Sequence, residues 1–396
     1  MLSAVRLQIK QIGTQFSRYQ NFKTVPVRWR SYRAAILEEF DKPLVVAKVK
    51  NETPLGMSMI RISVDFCSLN LADVNKLSSA SSSNADETLL PTIPGCEFSG
   101  EVIEVGDFVE ENIKKGDKVV ALLAYDHQIG GGLAEEVVVP EVDCFTCGTV
   151  STKDAAVLVK AHGTAFLAFT KHCELKENDI VIVLAGAAGN GLAAIQIAKN
   201  VFKAKVYVIC DTDDTGTLIR AEGAHKAISV KEGLAKVYKF FDEALKGRKA
   251  KVVYDAVGDG LLYVAADFVD RENGKVLSVD AAYDPAKFSS TKPKEQFRKS
   301  KKSKEPTEDE NADWFVPKIQ HVDLHKLQET DKESYRQTVM DTLALSEEDL
   351  ITPYVSRTFG LNDVNEAVKF IREKKCTGKV LIDVKERKNH KEDEKD

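Results

Sequence analysis

Between residues 179 and 211 the chain reads DIVIVLAGAAGNGLAAIQIAKNVFKAKVYVICD, a set of residue types able to hold a dinucleotide. Ile180 to Leu184 form a β-branched apolar run, and a Gly/Ala turn spans Ala185 to Gly191. Leu192, Ile195, Ile197 and Ala198 then recur at helical spacing before a second strand, Val206 to Cys210. A pyrophosphate at the start of that helix would meet unpaired backbone N–H groups and the positive end of the helix dipole. The candidate contacts are Ala187, Ala188, Gly189, Asn190, Gly191 and Leu192. Asn190 either donates to phosphate or caps the helix. Asp211 ends the second strand twenty residues after Gly191, where a carboxylate accepts hydrogen bonds from ribose hydroxyls. Asp213 and Asp214 add two more carboxylates. Together they repel a 2′-phosphate, so the sequence favours NAD(H) over NADP(H).

The elements that must position this turn change in kind along the chain. YRAAILEEF (32–40), PLVVAKV (43–49), MIRISVDFCSLN (59–70), GEVIEVG (100–106), DKVVALL (117–123) and GLAEEVVVP (132–140) are short strand-like segments with glycine and charged turns between them. They predict a β-rich lobe. Beyond residue 153, helices near 153–173, 214–222, 232–245 and 260–270 alternate with strands near 180–184, 206–210, 227–230, 251–258 and 274–280. That alternation predicts a doubly wound parallel sheet. Residues 286–313 carry a basic block and then an acidic one, which predicts a disordered surface insertion dispensable for cofactor binding. A helix near 331–348 follows, and TFGLNDVNEAVKFIREKKCTGKVLIDV (358–384) reads as a helix and a strand.

At 396 residues, 43% apolar and 30% charged, the chain is long enough for two cores. It contains no apolar run of membrane-spanning length, and its net charge of −5 argues against a nucleic-acid partner. Seven scattered cysteines suit reduced thiols better than a disulfide framework. Cys144 and Cys147 have one CxxC spacing but no second pair, and read better as thiols exposed on a strand than as half a metal site. Residues 1–37 hold seven basic residues and no acidic one, with Leu2, Val5, Ile9, Ile12 and Phe16 at near-helical spacing. That composition predicts a mitochondrial transit peptide over 1–33, cleaved near 28–33, and a matrix location; a disordered basic tail is the alternative.

YRAAILEEFDKPL (32–44), FCSLNLAD (66–73), PGCEFSGEVIEVG (94–106), KKGDKVVAL (114–122), GGLAEEVVVP (131–140), HGTAFLAF (162–169), the 185–206 segment and LNDVNEAVKFIREKKCTGKVLI (361–382) occur in one order. In that order they resemble the medium-chain dehydrogenase/reductase superfamily, in its zinc-free quinone oxidoreductase branch. The resemblance implies an α/β fold: a GroES-like catalytic lobe over 34–157, a Rossmann cofactor domain over 158–345, a return to the catalytic lobe over 352–386, and a charged tail over 387–396. It also implies nicotinamide-dependent reduction of a quinone or enone, often by a homodimer. Asn70 and Asp73 match the branch's N-x-x-D and are the implied catalytic residues, the Asn70 amide hydrogen-bonding the acceptor carbonyl; the alternative is an Asn and Asp that cap the loop after a strand. Thr164 and Val257 are implied cofactor contacts. Asn70 and Cys96 stand where the zinc enzymes of the superfamily carry ligands, so no zinc is expected. Several departures stand against this. Ala188 replaces a glycine of the phosphate turn, the basic residue expected at 215 is a threonine, and a Ser-rich 78–84 loop replaces the aromatic at the site's mouth. They support a second reading, a catalytically inactive relative kept as a mitochondrial binding or assembly protein.

Overall fold

In the computed structural model the described residues are 30–51, 55–78, 90–109, 113–124, 130–184, 189–210, 213–256, 261–279, 319–373 and 376–386. Strand β3, Met59–Leu69, buries Ile60, Ile62, Val64, Cys67 and Leu69 in the core of the first lobe. It is the backbone of a seven-stranded sheet with β4 (Glu97–Val105), β5 (Lys118–Leu122), β6 (Glu136–Pro140) and β7 (Cys144–Thr146). The last two strands of the chain, β14 (Val355–Gly360) and β15 (Lys379–Asp383), join the same sheet. β15 pairs antiparallel with β3, setting Val380 opposite Leu69, while Ser68 lies opposite Glu97 on β4. That register brings the end of β3 and the starts of β4 and β15 to one edge. A two-stranded ribbon, β1 (Arg30–Ile36) and β2 (Val45–Asn51), completes the GroES-like lobe.

The second sheet runs β10-β9-β8-β11-β12-β13, every neighbouring pair parallel. Its strands are β8 (Ile180–Leu184), β9 (Lys205–Cys210), β10 (Lys226–Ser229), β11 (Val252–Asp255), β12 (Lys275–Ser278) and β13 (Ile319–His321). β8 is buried at all five positions, as a strand covered on both faces must be. The order reverses between β8 and β11, the place where doubly wound sheets open a crevice.

The helices are α1 (Leu71–Lys76), α2 (Thr152–Leu167), α3 (Gly189–Gln196), α4 (Asp213–Ala221), α5 (Leu234–Leu245), α6 (Leu261–Ala266), α7 (Leu324–Thr330), α8 (Lys332–Glu347) and α9 (Val364–Arg372). Ser151 caps α2 by accepting from the Asp154 N–H at 3.1 Å. α2 packs on β3, β4, β5 and β15 of one sheet and on α3 of the other, so it belongs to both lobes. A division at 157/158 cuts it in two. None of the described helices is long and apolar enough to cross a membrane.

Three local differences from the sequence reading have physical causes. β1 opens at Arg30, and Arg33 donates from N to Glu135 Oε2 (2.7 Å) and from Nε to Oε1 (2.9 Å). One basic side chain counted into the leader, Arg33, therefore pairs within the folded body, and cleavage at 33 would remove the start of a strand. β13 and α7 were not foreseen, because β13 is three residues without apolar alternation and α7 is a short, mostly polar helix. Cys144 and Cys147, expected exposed, are 0% and 1% exposed; burial pushes the Cys147 thiol up to about 12. The leader through residue 29, the insertion at 286–313 and the tail from 387 lie outside the described residues.

Candidate active site

The shared edge of β3, β4 and β15 gathers polar groups that an all-apolar core would exclude. Asn70 follows β3 and starts α1; its N–H donates to Asp73 Oδ2 at 2.8 Å. Asp73 Oδ1 accepts from the Cys96 N–H at 3.3 Å. The Asp73 carboxylate is thus taken up by two backbone amides and holds the end of β3 to the start of β4. These bonds match the capping alternative for Asp73; they show no contact of its carboxylate with a ligand.

Glu97, first residue of β4, is fully buried. Its Oε1 accepts from the Lys160 backbone N–H on α2 (2.8 Å), and its Oε2 accepts from Asn70 Nδ2 (3.3 Å) and Lys379 Nζ (3.0 Å). Lys379 Nζ also donates to Asn70 Oδ1. A buried carboxylate is tolerable only when paired and hydrogen-bonded, and this one is. The Asn70 amide is held at both ends, with one Nδ2 hydrogen left over for an acceptor.

The stem of Lys379 then crosses to the other lobe. A Cβ on Gly189, the first residue of α3, would stand 2.6 Å from Lys379 Cδ and 3.3 Å from the Gly378 carbonyl oxygen. Gly189 is therefore required for close approach. On α2, the Thr164 hydroxyl donates back to the Lys160 carbonyl at 2.6 Å, and Lys160 Nζ lies 3.9 Å from Cys96 Sγ. Burial, reinforced by Asp73, drives the Cys96 thiol far up, and Lys160 opposes that only in part. His162, one residue pair along, is lowered to about 4 by burial; it touches Gln196 Oε1 (3.2 Å) and the Leu158 carbonyl (3.3 Å). It stays neutral and clamps α2 to α3. His325 on α7 is pushed well down by burial, then by Lys160 and Lys76.

Of the expected site residues, Asn70, Asp73 and Thr164 converge here, and Gly189, Asn190, Gly191 and Leu192 open α3. Leu192 is a core side chain, 3% exposed. Ala187, Ala188, Asp211 and Val257 lie outside the described residues. Sequence reasoning missed Glu97, Lys160 and Lys379. Lys160 alone had a signal, a charge set in an otherwise apolar run, AAVLVKAHGTAFLAF (155–169).

A nicotinamide dinucleotide fits this arrangement. α3 starts beyond the carboxyl end of β8 at the reversal of strand order, where its first backbone N–H groups have no partner within the helix. Zinc does not fit at Cys96. Three converging nitrogen or sulfur ligands are what zinc needs, and the groups against Cys96 are instead the Asp73 carboxylate, engaged by backbone amides, and the Lys160 ammonium. Among the described residues no cluster of three or more His, Cys, Asp or Glu side chains could hold a metal ion.

Residues 56–149 match the family model for the alcohol dehydrogenase GroES-like domain, and residues 223–382 match that for zinc-binding dehydrogenases. The chain is 30% identical over 382 residues to the quinone oxidoreductase-like protein 2 homolog of Nematostella vectensis, covering 95% of this chain and 96% of that one. It is 27% identical over 363 residues to quinone oxidoreductase-like protein 2 of Mus musculus, covering 90% and 93%. The fold is shared with the quinone oxidoreductase of Coxiella burnetii (TM-score 0.70, 24% identity, 90% and 100% covered). It is also shared with a mycobacterial protein solved in complex with NADPH (TM-score 0.72, 21% identity, 89% and 100% covered).

Proposed function

The chain belongs to the quinone oxidoreductase-like branch of the medium-chain dehydrogenase/reductase superfamily, a nicotinamide-cofactor oxidoreductase family, and we propose that it is a zinc-independent reductase of a quinone or enone in the mitochondrial matrix. The observation that carries this reading is the Asn70–Glu97–Lys379 network, which is rooted in the catalytic lobe and lies against Gly189 at the start of the cofactor helix. When bound, the reduced nicotinamide supplies the hydride. Asn70, fixed by Glu97 and Lys379, has one amide hydrogen left to orient an acceptor oxygen. Thr164 has spent its hydrogen on the Lys160 carbonyl and meets a ligand as an acceptor only. Buried Ile195, Ala194 and Leu192 back the cofactor helix and exclude water from its inner side.

NAD(H) is the proposed cofactor in preference to NADP(H), supported by the three carboxylates Asp211, Asp213 and Asp214. The matrix location is supported by the acid-free, arginine-bearing stretch at 1–29. Titration of the purified chain with NADH, followed by nicotinamide fluorescence and then by NADH oxidation with an added quinone, tests the reading. Saturable binding and acceptor-dependent oxidation are expected. The second reading, a catalytically inactive binding protein, has its own support in the internal satisfaction of the Asn70 carbonyl and the Thr164 hydroxyl hydrogen. Binding of neither NADH nor NADPH would decide for it.

A further inference from the structure

Gln196 is the last residue of α3, and its buried side chain is a hub at the end of that helix away from Gly189. Its Oε1 accepts from the Thr352 N–H (2.9 Å) and touches His162 Nε2 (3.2 Å). Its Nε2 donates to the Thr352 carbonyl (2.8 Å) and to Glu222 Oε2. A side-chain amide has two donor hydrogens and an oxygen that accepts twice, so Gln196 is fully occupied and fixed. It joins α2, which packs on both lobes, to the residue after α4 and to the segment by which the chain crosses back to β14.

A cavity of about 270 Å³ lies beside this hub. Gln196 and Lys199 line it from α3 and its continuation, Glu222 from the end of α4, and Asp349 and Thr352 from the crossing. Ala221 and Leu350 add apolar surface. The electrostatics are one-sided. Ile197–Val201 prolongs α3 by one wider turn, so the cavity lies against the last turn of that helix. It also lies against the end of α4 at Ala221 and the residues just after α8, which stops at Glu347. Each helix end carries partial negative charge on its last carbonyls. Glu222 and Asp349 add two carboxylates, and Lys199 is the one cation of the lining. Glu222 is held through Oε2, which orients its carboxylate and leaves Oε1 for a ligand. An excess of fixed acceptors suits a cation, and the single ammonium suits an anion on the same molecule. The volume lies just under the roughly 300–1,000 Å³ of drug-sized pockets, so the ligand is small.

We propose that this cavity binds a small zwitterion of the free amino-acid class, with an ammonium and a carboxylate on an apolar stem. The ammonium lies between Glu222 and Asp349, the carboxylate meets Lys199, and the stem lies against Ala221 and Leu350. Glu222 belongs to the end of α4 and Asp349 to the crossing, so a ligand joined to both braces the crossing against the second lobe. The site is at the opposite end of α3 from the Lys379–Gly189 contact and stands whether or not the chain is a reductase.

The test uses the full chain and three probes of one stem length: L-norvaline with both charges, butylamine with the ammonium alone and pentanoate with the carboxylate alone. Binding is read by titration calorimetry and by hydrogen exchange of the backbone amides. Norvaline is expected to saturate one site. Butylamine should bind about tenfold more weakly, the size of one charge-assisted hydrogen bond, and pentanoate more weakly still. Norvaline should slow exchange over 221–224 and 349–354. Glu222→Gln keeps an acceptor for Gln196, and Asp349→Asn tolerates the same left-handed backbone (φ 57°). Each should weaken norvaline about tenfold. Lys199→Met should bring norvaline down to the level of butylamine and leave butylamine no weaker. Absence of saturable norvaline binding, equal affinity for norvaline and butylamine, or variants that bind norvaline as the unaltered chain does would each overturn the proposal. Protection confined to other segments would overturn it too.

Discussion

Lys379 reaches from β15 in the first lobe to cover Gly189 at the head of α3 in the second, so that one side chain contacts both the Asn70–Glu97 network and the start of that helix. Its ammonium and the Glu97 carboxylate, 3.0 Å apart, are 7% and 0% exposed. Removing one partner of such a pair leaves an uncompensated buried charge, a loss of about 3–5 kcal/mol. Lys379→Met and Glu97→Met should each lower stability by that order in urea unfolding. The double variant should recover much of the loss, because no charge is then stranded. Additive losses would show that the two side chains do not depend on one another.

The closeness of Gly189 to the same lysine gives a second test. A methyl at 189 meets Lys379 Cδ at 2.6 Å and Cγ at 3.1 Å. Gly189→Ala should therefore displace Lys379, weaken its hold on Asn70 and destabilise the chain by about 1–3 kcal/mol. In a Lys379→Ala background most of that penalty should disappear. A double-mutant cycle with no coupling would refute the contact as the reason for a glycine here.

The two-lobe layout was legible in the sequence because its signals are dense: alternating strands before residue 150, alternating helix and strand after it, and the Gly/Ala turn between Leu184 and Leu192. The site was only half legible. Asn70 and Asp73 are three residues apart and are visible as a pair in the sequence. Glu97 and Lys379 are 282 residues apart, and nothing local marks them as partners until β15 is laid against β3. The part Asp73 plays was open in the sequence for a related reason. A carboxylate after a strand can either cap the loop or face a ligand, and the fold gives both its oxygens to backbone amides. Arg33 counts as basic composition in the sequence, and its Glu135 partner, 102 residues away, is seen only in the fold.

Stability should fall on mild acidification, with His162 as one source. Its folded pKa, about 4, lies below the ordinary 6.5 because burial disfavours the imidazolium. Between those values the unfolded chain binds a proton that the native chain does not. Stability is therefore fully present above 6.5, declines as pH falls from 6.5 to 4, and declines no further from this group below 4. The slope is at most about 1.4 kcal/mol per pH unit, on the order of 3 kcal/mol in all. His325 acts in the same direction. Urea midpoints measured from pH 7 to pH 4 should fall less steeply for His162→Gln than for the unaltered chain. Equal slopes would mean that His162 is not the group responsible.

Cofactor choice offers the sharpest check on the loop after β9. Asp211 would accept hydrogen bonds from the ribose hydroxyls of NADH, and it opposes a 2′-phosphate. Losing those charge-assisted bonds and gaining the repulsion disfavours NADPH by about 1–3 kcal/mol. Since about 1.4 kcal/mol is one decade in affinity, NADH should bind at least about tenfold more tightly. Asp211→Gly combined with Thr215→Lys removes a negative charge and adds a cation where the phosphate would sit, so it should invert the order. Fluorescence titrations of both proteins with both cofactors read the result directly. Tighter NADPH binding by the unaltered chain would overturn the assignment. An unaltered preference in the double variant would instead place the ribose away from this loop.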